Sequence, residues 1–93
     1  NTDMMWLGDE SSFTDLVAAS EIWKALGVPD AMGASQVGGH QHCRDVPQAQ
    51  LDELGAFVDK FLLGKDAKTN VLRSDRITPN RDRWITWSTP ELK

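Results

Sequence analysis

One short apolar run, Met32 to Val37, constrains this chain more than any other feature. It is closed by two glycines and flanked on both sides by helical patterns. The run is too short for a helix and predicts a buried strand. A single strand between two apolar-faced helices cannot satisfy its own edges. The helices would cover a sheet whose other strands lie outside the chain, the arrangement of an α/β protein with both sheet faces buried. Residues 1–93 are therefore expected to form the C-terminal segment of a single α/β domain.

The flanking patterns set the remaining elements. Asn1 to Glu10 has no period and predicts a loop. Ser12 is a candidate N-cap, with Asp15 in the first turn. Phe13, Leu16, Val17, Ile22, Trp23 and Leu26 then share a helical face, and Gly27 and Pro29 end the helix. After the glycines, Asp45 is a candidate cap and Pro47 fits a first turn. Leu51, Leu54, Phe57, Val58, Phe61 and Leu62 follow at helical spacing up to Gly64. Gly55, costly inside a helix by about 1 kcal/mol against Ala, predicts close packing there. Asn70 to Arg73 is a candidate short strand. Arg76 to Lys93, with Ile77, Trp84, Ile85 and Trp87, predicts a tail laid across a surface.

Composition narrows the class. Of 93 residues, 40% are apolar and 26% charged, which suits a globular chain with a small core. A net charge of -4 without a basic block weighs against nucleic acid. No apolar run approaches the roughly 20 residues of a membrane span. The single cysteine, Cys43, cannot form an internal disulfide. It is a free thiol, a ligand, or half of a bridge to residues elsewhere. The chain opens on Asn1-Thr2-Asp3 and shows no signal peptide, so it is expected to begin after a cleavage or inside a longer protein.

Both histidines and the cysteine fall within Gly38-Gly39-His40-Gln41-His42-Cys43. A histidine on a strand-to-helix loop suits a general base, since imidazole exchanges a proton near neutral pH. No G-x-S-x-G elbow accompanies it. Gly33-Ala34-Ser35-Gln36-Val37 has Val where the second Gly belongs, and Ser35 lies in the predicted strand. His40, His42 and Cys43 are also metal-ligand types. Zinc needs a fourth ligand and usually wider spacing, and the adjacent His42 and Cys43 cannot easily face one ion. Spacing alone leaves open a base loop, a metal-binding module, a loop of structural histidines and a non-catalytic α/β interaction domain.

Longer stretches carry a resemblance. Asn1-Thr2-Asp3, Trp6-Leu7, Ala25-Leu26-Gly27-Val28-Pro29 and Gln36-Val37-Gly38-Gly39-His40-x-His42-Cys43 resemble the glucuronoyl methylesterases. So do Ala56-Phe57-Val58-Asp59-Lys60-Phe61-Leu62-Leu63-Gly64 and Trp84-Ile85-x-Trp87. That family comprises carbohydrate esterases of the α/β-hydrolase fold acting on plant cell walls. The resemblance implies the C-terminal part of a three-layer α/β-hydrolase sandwich and a serine-type esterase. Its substrate would be 4-O-methyl-glucuronoyl esters that join glucuronoxylan to lignin alcohols. It implies no cofactor, no metal, no nucleic acid and no membrane partner, and a secreted or periplasmic location.

Residue by residue, the resemblance makes His42 the catalytic base and Trp6 a wall of the glucuronate pocket. Cys43 would be bridged to a cysteine beside the nucleophilic Ser upstream. The Ser, its oxyanion arginine and the acidic partner would belong to the remainder of the enzyme, and this segment alone would be inactive. Some relatives carry an acid two residues before the tryptophan, where this chain has Met4. Many fungal relatives carry a cysteine where this chain has Thr14-Asp15-Leu16. Asp3 is expected to cap a turn or meet solvent, and His40 to be structural. Trp23, Phe57 and Phe61 are expected in the core, Trp84 and Trp87 as packing anchors of the tail, and Arg76, Arg81 and Arg83 in solvent.

Overall fold

A computed structural model describes all residues, Asn1–Lys93. The first helix, α1, runs from Asp9 to Ala25. It starts three residues before Ser12 because Gly8, at φ 73°, turns the chain into it. The Ser11 and Ser12 hydroxyls then donate back to the Gly8 carbonyl, each at 2.9 Å. Ser12 thus lies in the first turn instead of capping it. At the other end the Val28 and Gly27 amides donate to the Trp23 and Lys24 carbonyls, both at 3.0 Å. This paired closure around a left-handed residue, Gly27 at φ 74°, is the Schellman motif that the Gly27 signal predicts.

Strand β1 spans Ala34–Gln36, shorter than the apolar run, because only these residues find a ladder partner. That partner is β2, Leu72–Ser74, which starts two residues later and ends one later than the predicted Asn70–Arg73. The pairing is parallel, with Ala34 opposite Leu72 and Gln36 opposite Ser74. Parallel neighbours need a long crossover. Here it contains the His loop and α2, Gln48–Phe61. Pro47 occupies the N-cap position of α2 instead of its first turn, and Asp45 lies outside. Leu62 caps the other end, and Gly64, at φ 65°, closes the turn beyond it. Gln50 ties α2 to β1 by donating to the Ser35 carbonyl at 2.8 Å, and the Glu53–Arg73 pair at 2.7 Å ties it to β2. At Gly33, ahead of β1, a Cβ would lie 2.5 Å from the Thr69 carbonyl oxygen, so only glycine admits the approach of that segment.

The tail, residues 76–93, folds back over α1. Ile85 buries against Phe13 and Val17, with Ala18 and Ile77 beside them. A short helix, α3, Arg81–Trp84, presents Ile85 to this cluster. The anchor is therefore Ile85 between the two tryptophans. Trp84 and Trp87 remain half exposed, which corrects their expected role. Other corrections have one physical cause, a slab with little to cover its faces. Leu16, Ile22 and Leu26 of the predicted α1 face are exposed, as is Phe61. Gly55 is exposed too, with nothing within 4 Å of a built Cβ. Arg81 is not a free surface charge: it pairs with the buried Glu21 at 2.9 Å.

Candidate active-site loop

The site begins where β1 ends. In open α/β sheets, ligands gather outside the carboxyl ends of the strands. The loop from Val37 to Pro47 leaves β1 at that end. The Val37 carbonyl accepts from Thr2 N–H at 3.4 Å and the Pro47 carbonyl from the first turn of α2; between them the one backbone hydrogen bond is Arg44 N–H to the Gln41 carbonyl at 3.4 Å. Side chains from elsewhere in the chain supply further hydrogen bonds to its backbone. The Gly38 N–H donates to Asp75 Oδ2 at 2.8 Å, and the Gly39 N–H donates to Asp3 Oδ2 at 2.5 Å. Asn1 Nδ2 donates to the His40 carbonyl at 2.7 Å. Asp3 therefore caps the turn, as expected, and also pairs with Arg76 at 2.6 Å, so Arg76 is not simply solvated.

Electrostatics favour an ionised Asp75. The Thr2 hydroxyl, and after it the Gly38 amide and the Arg76 charge, hold Asp75 below the usual carboxylate range. Successive backbone N–H groups form an anion-binding concavity, and here the chain fills it with its own carboxylates.

The residues singled out from sequence are distributed as follows. His42 and Cys43 are exposed on the loop, and Cys43 adopts φ 57°. It is the only non-glycine residue in the left-handed region, a conformation that normally carries strain outside glycine and Asn. The Cys43 thiol is free within this chain. His40 keeps its imidazole against its own loop, with Nδ1 3.2 Å from the Gln41 carbonyl. Trp6 lies on a single turn, Met5–Leu7, and is 78% exposed. The Asn1 and Asp3 contacts bring this N-terminal segment alongside the His loop. No three His, Cys, Asp or Glu side chains converge in the chain. Ser35 sits inside β1, where its Oγ lies 3.3 Å from Gln50 Nε2. The largest cleft, about 690 Å³, lies elsewhere, between α1 and the tail, lined by Asp9, Asp15, Trp84 and Trp87 among others.

No protein-family model matches the chain. Individual proteins do. A 4-O-methyl-glucuronoyl methylesterase of Hypocrea jecorina is 48% identical over 87 residues, covering 94% of this chain and 18% of that protein. One from Cerrena unicolor is 43% identical over 96 residues, 99% of this chain and 20% of its own. The fold matches the glucuronoyl esterase catalytic domain of Hypocrea jecorina with a TM-score of 0.83 at 48% identity, over 95% of this chain and 24% of that one. Nearly the whole chain thus matches one segment of the glucuronoyl esterases. A mutant glucuronoyl esterase of Sporotrichum thermophile, solved with methyl 4-O-methyl-β-D-glucopyranuronate, gives a TM-score of 0.82 at 37% identity, again over 95% of this chain and 24% of that one. The chain spans about a fifth of the length of these esterase relatives.

Asp75 and Thr2, which hold the loop, were missed by reasoning from sequence. Nothing local marks them: Asp75 meets Gly38 across 37 positions of chain.

Proposed function

We propose that this chain is the histidine-bearing, C-terminal segment of a serine-type carboxylic ester hydrolase. Its substrate is the 4-O-methyl-glucuronoyl ester between glucuronoxylan and a lignin alcohol. The observation that carries the reading is His42. It stands exposed on the loop at the carboxyl end of β1, in a chain 37–48% identical to glucuronoyl esterase structures, one of them holding a methyl glucuronate sugar. The enclosing fold is a three-layer α/β sandwich whose other strands, nucleophilic Ser, oxyanion donor and acid belong to the rest of the enzyme.

In this reading the Ser hydroxyl attacks the ester carbonyl while His42 accepts its proton. The tetrahedral intermediate collapses, and His42 returns that proton to the departing lignin alcohol. Water then attacks the acyl-enzyme as His42 takes a proton from it, and His42 returns that proton to the Ser oxygen as the xylan-linked 4-O-methyl-glucuronate carboxylate leaves. Trp6 packs under the sugar. Cys43 is bridged to a cysteine beside the Ser, which ties the base loop to the nucleophile loop and agrees with a secreted enzyme.

The test uses the complete enzyme. His42→Ala should lower kcat by about three orders of magnitude or more, because triad members act as a unit. His40→Ala should cost about tenfold or less, since its ring only braces the loop. The opposite ranking would assign the base to His40. Thiol counting on the denatured, unreduced protein should find Cys43 oxidised; a free thiol there would remove the tether.

A further inference from the structure

Two dipeptides far apart in the chain grip the glycines ahead of the histidines. Thr2-Asp3 comes from the N-terminal segment, and Asp75-Arg76 follows β2. Each carboxylate uses one oxygen on the loop and the other on the opposite dipeptide. Asp75 Oδ2 accepts from Gly38 N–H at 2.8 Å, and its Oδ1 accepts from Thr2 Oγ1 at 2.6 Å. Asp3 Oδ2 accepts from Gly39 N–H at 2.5 Å, and its Oδ1 accepts from Arg76 Nη2 at 2.6 Å. Arg76 Nη1 also reaches the Thr2 carbonyl at 3.3 Å.

The clasp is referenced to the sheet. Ser74 is in register with Gln36, and the Asp75 amide donates to the Gln36 carbonyl at 3.2 Å. The backbone of Asp75 thus bonds the last residue of β1 while its side chain holds Gly38, two residues on. The clasp also needs glycine there, since a Cβ on Gly38 would lie 2.7 Å from both Asp3 oxygens.

We infer that Asp75, with Asp3, is a positioning residue that sets where His42 stands for proton transfer. The inference rests on the reading of His42 as the base. Proton transfer requires the imidazole within about 2.6–3.2 Å of its partner, and a displacement of about 1 Å can cost roughly a hundredfold. A loop without ladder bonds cannot hold that tolerance by itself. Asp75 is exposed, so its contribution is not core packing. It transmits the register of the two strands to the start of the His loop.

The experiment measures kcat and KM of the complete enzyme on a glucuronoyl ester and on a small aryl acetate. Asp75→Ala is made alone and on a His42→Ala background. On the intact background it should lower kcat about 10–100-fold on both substrates, with KM changed by less than about threefold. Asp75→Asn, which keeps an acceptor for the Gly38 amide, should recover most of the loss. On the His42→Ala background, Asp75→Ala should cost nothing further, because it acts only through the imidazole. An equal loss on both backgrounds would make Asp75 a general structural residue and overturn the inference. So would an unchanged kcat for Asp75→Ala in an enzyme that His42→Ala disables, and the reading of His42 would then still stand. Full activity in His42→Ala itself would overturn both. If Asp75→Ala does not fold, Gly38→Ala displaces the same clasp from the Asp3 side. It should show the same dependence on His42, and a loss independent of His42 would again overturn the inference.

Discussion

At the scale of single residues, Trp6 is the clearest case of a side chain without a local reason. It is 78% exposed, on one turn of helix between Asp3 and Gly8. A buried Trp would contribute through packing, which this one does not do within the chain. Sugar pockets use such a residue twice: its face packs on the C–H side of the ring, and its indole N–H donates to an oxygen. Trp6→Ala in the complete enzyme should then reduce kcat/KM on glucuronoyl esters by about 2–4 kcal/mol. An aryl acetate that never enters the pocket should be hydrolysed nearly as before. Equal losses on both substrates, or a large fall in Tm, would make Trp6 structural. The residues proposed to carry chemistry, His42, Trp6 and Cys43, could be singled out from local spacing and resemblance. The residues that place them could not. Asp75, Thr2 and Asn1 act over 37 to 73 positions of chain, and an Asp after a short strand has many ordinary explanations.

Elements follow the same division between local and distant causes. The closure of α1 at Gly27 and the course of α2 were legible because they depend on φ preferences and helical period. The start of α1 was not, since Gly8 and two serine hydroxyls offered a closure earlier than the Ser12 signal. The tail, anchored by Ile85, is also held by a charge that periodicity cannot reveal. Glu21, 4% exposed on α1, accepts from Lys24 at 2.7 Å, from Arg81 at 2.9 Å and from the Thr89 hydroxyl. The Lys24 and Thr89 hydrogen bonds, with that of Arg81, bring its pKa down to about 2 from 4.5. The carboxylate's folded pKa is depressed, so its stabilisation is complete above the unfolded value and fades as pH falls from about 4.5 towards 2. Glu21→Gln should therefore lower stability at pH 7 by on the order of 1–2 kcal/mol, reduced by the half-exposed partners. The difference from the parent protein should shrink steadily below about pH 4.5. Paired thermal unfolding of the complete enzyme from pH 7 to pH 3 measures it, and a difference that stayed constant across that range would remove the charge from the account.

The molecule as a whole is a slab, 45 × 39 × 16 Å. Its accessible surface is 6594 Å², against roughly 5,400 Å² expected for a compact monomer of this mass. The radius of gyration, 14.5 Å, likewise exceeds the roughly 12 Å of a compact domain of this length. Only Phe13, Val17, Met32 and Ile85 are buried hydrophobics, while Leu54, Leu62, Leu63 and Trp6 are largely exposed. Four buried hydrophobic side chains are a small core for a chain of 93 residues. A two-stranded parallel sheet adds little, because such sheets are stable when both faces are covered. The proposed remainder of the esterase supplies those covers, and it also supplies the nucleophile. The chain produced alone should consequently bind a hydrophobic dye, unfold without a sharp transition and hydrolyse neither glucuronoyl esters nor aryl acetates. Adding the separately produced remainder should restore a cooperative transition and His42-dependent turnover together, because one docking event buries the exposed faces and brings the imidazole to the Ser. Cooperative unfolding of the lone monomer, or turnover by it, would show that the slab needs neither cover nor nucleophile, and the division of roles proposed above would fall.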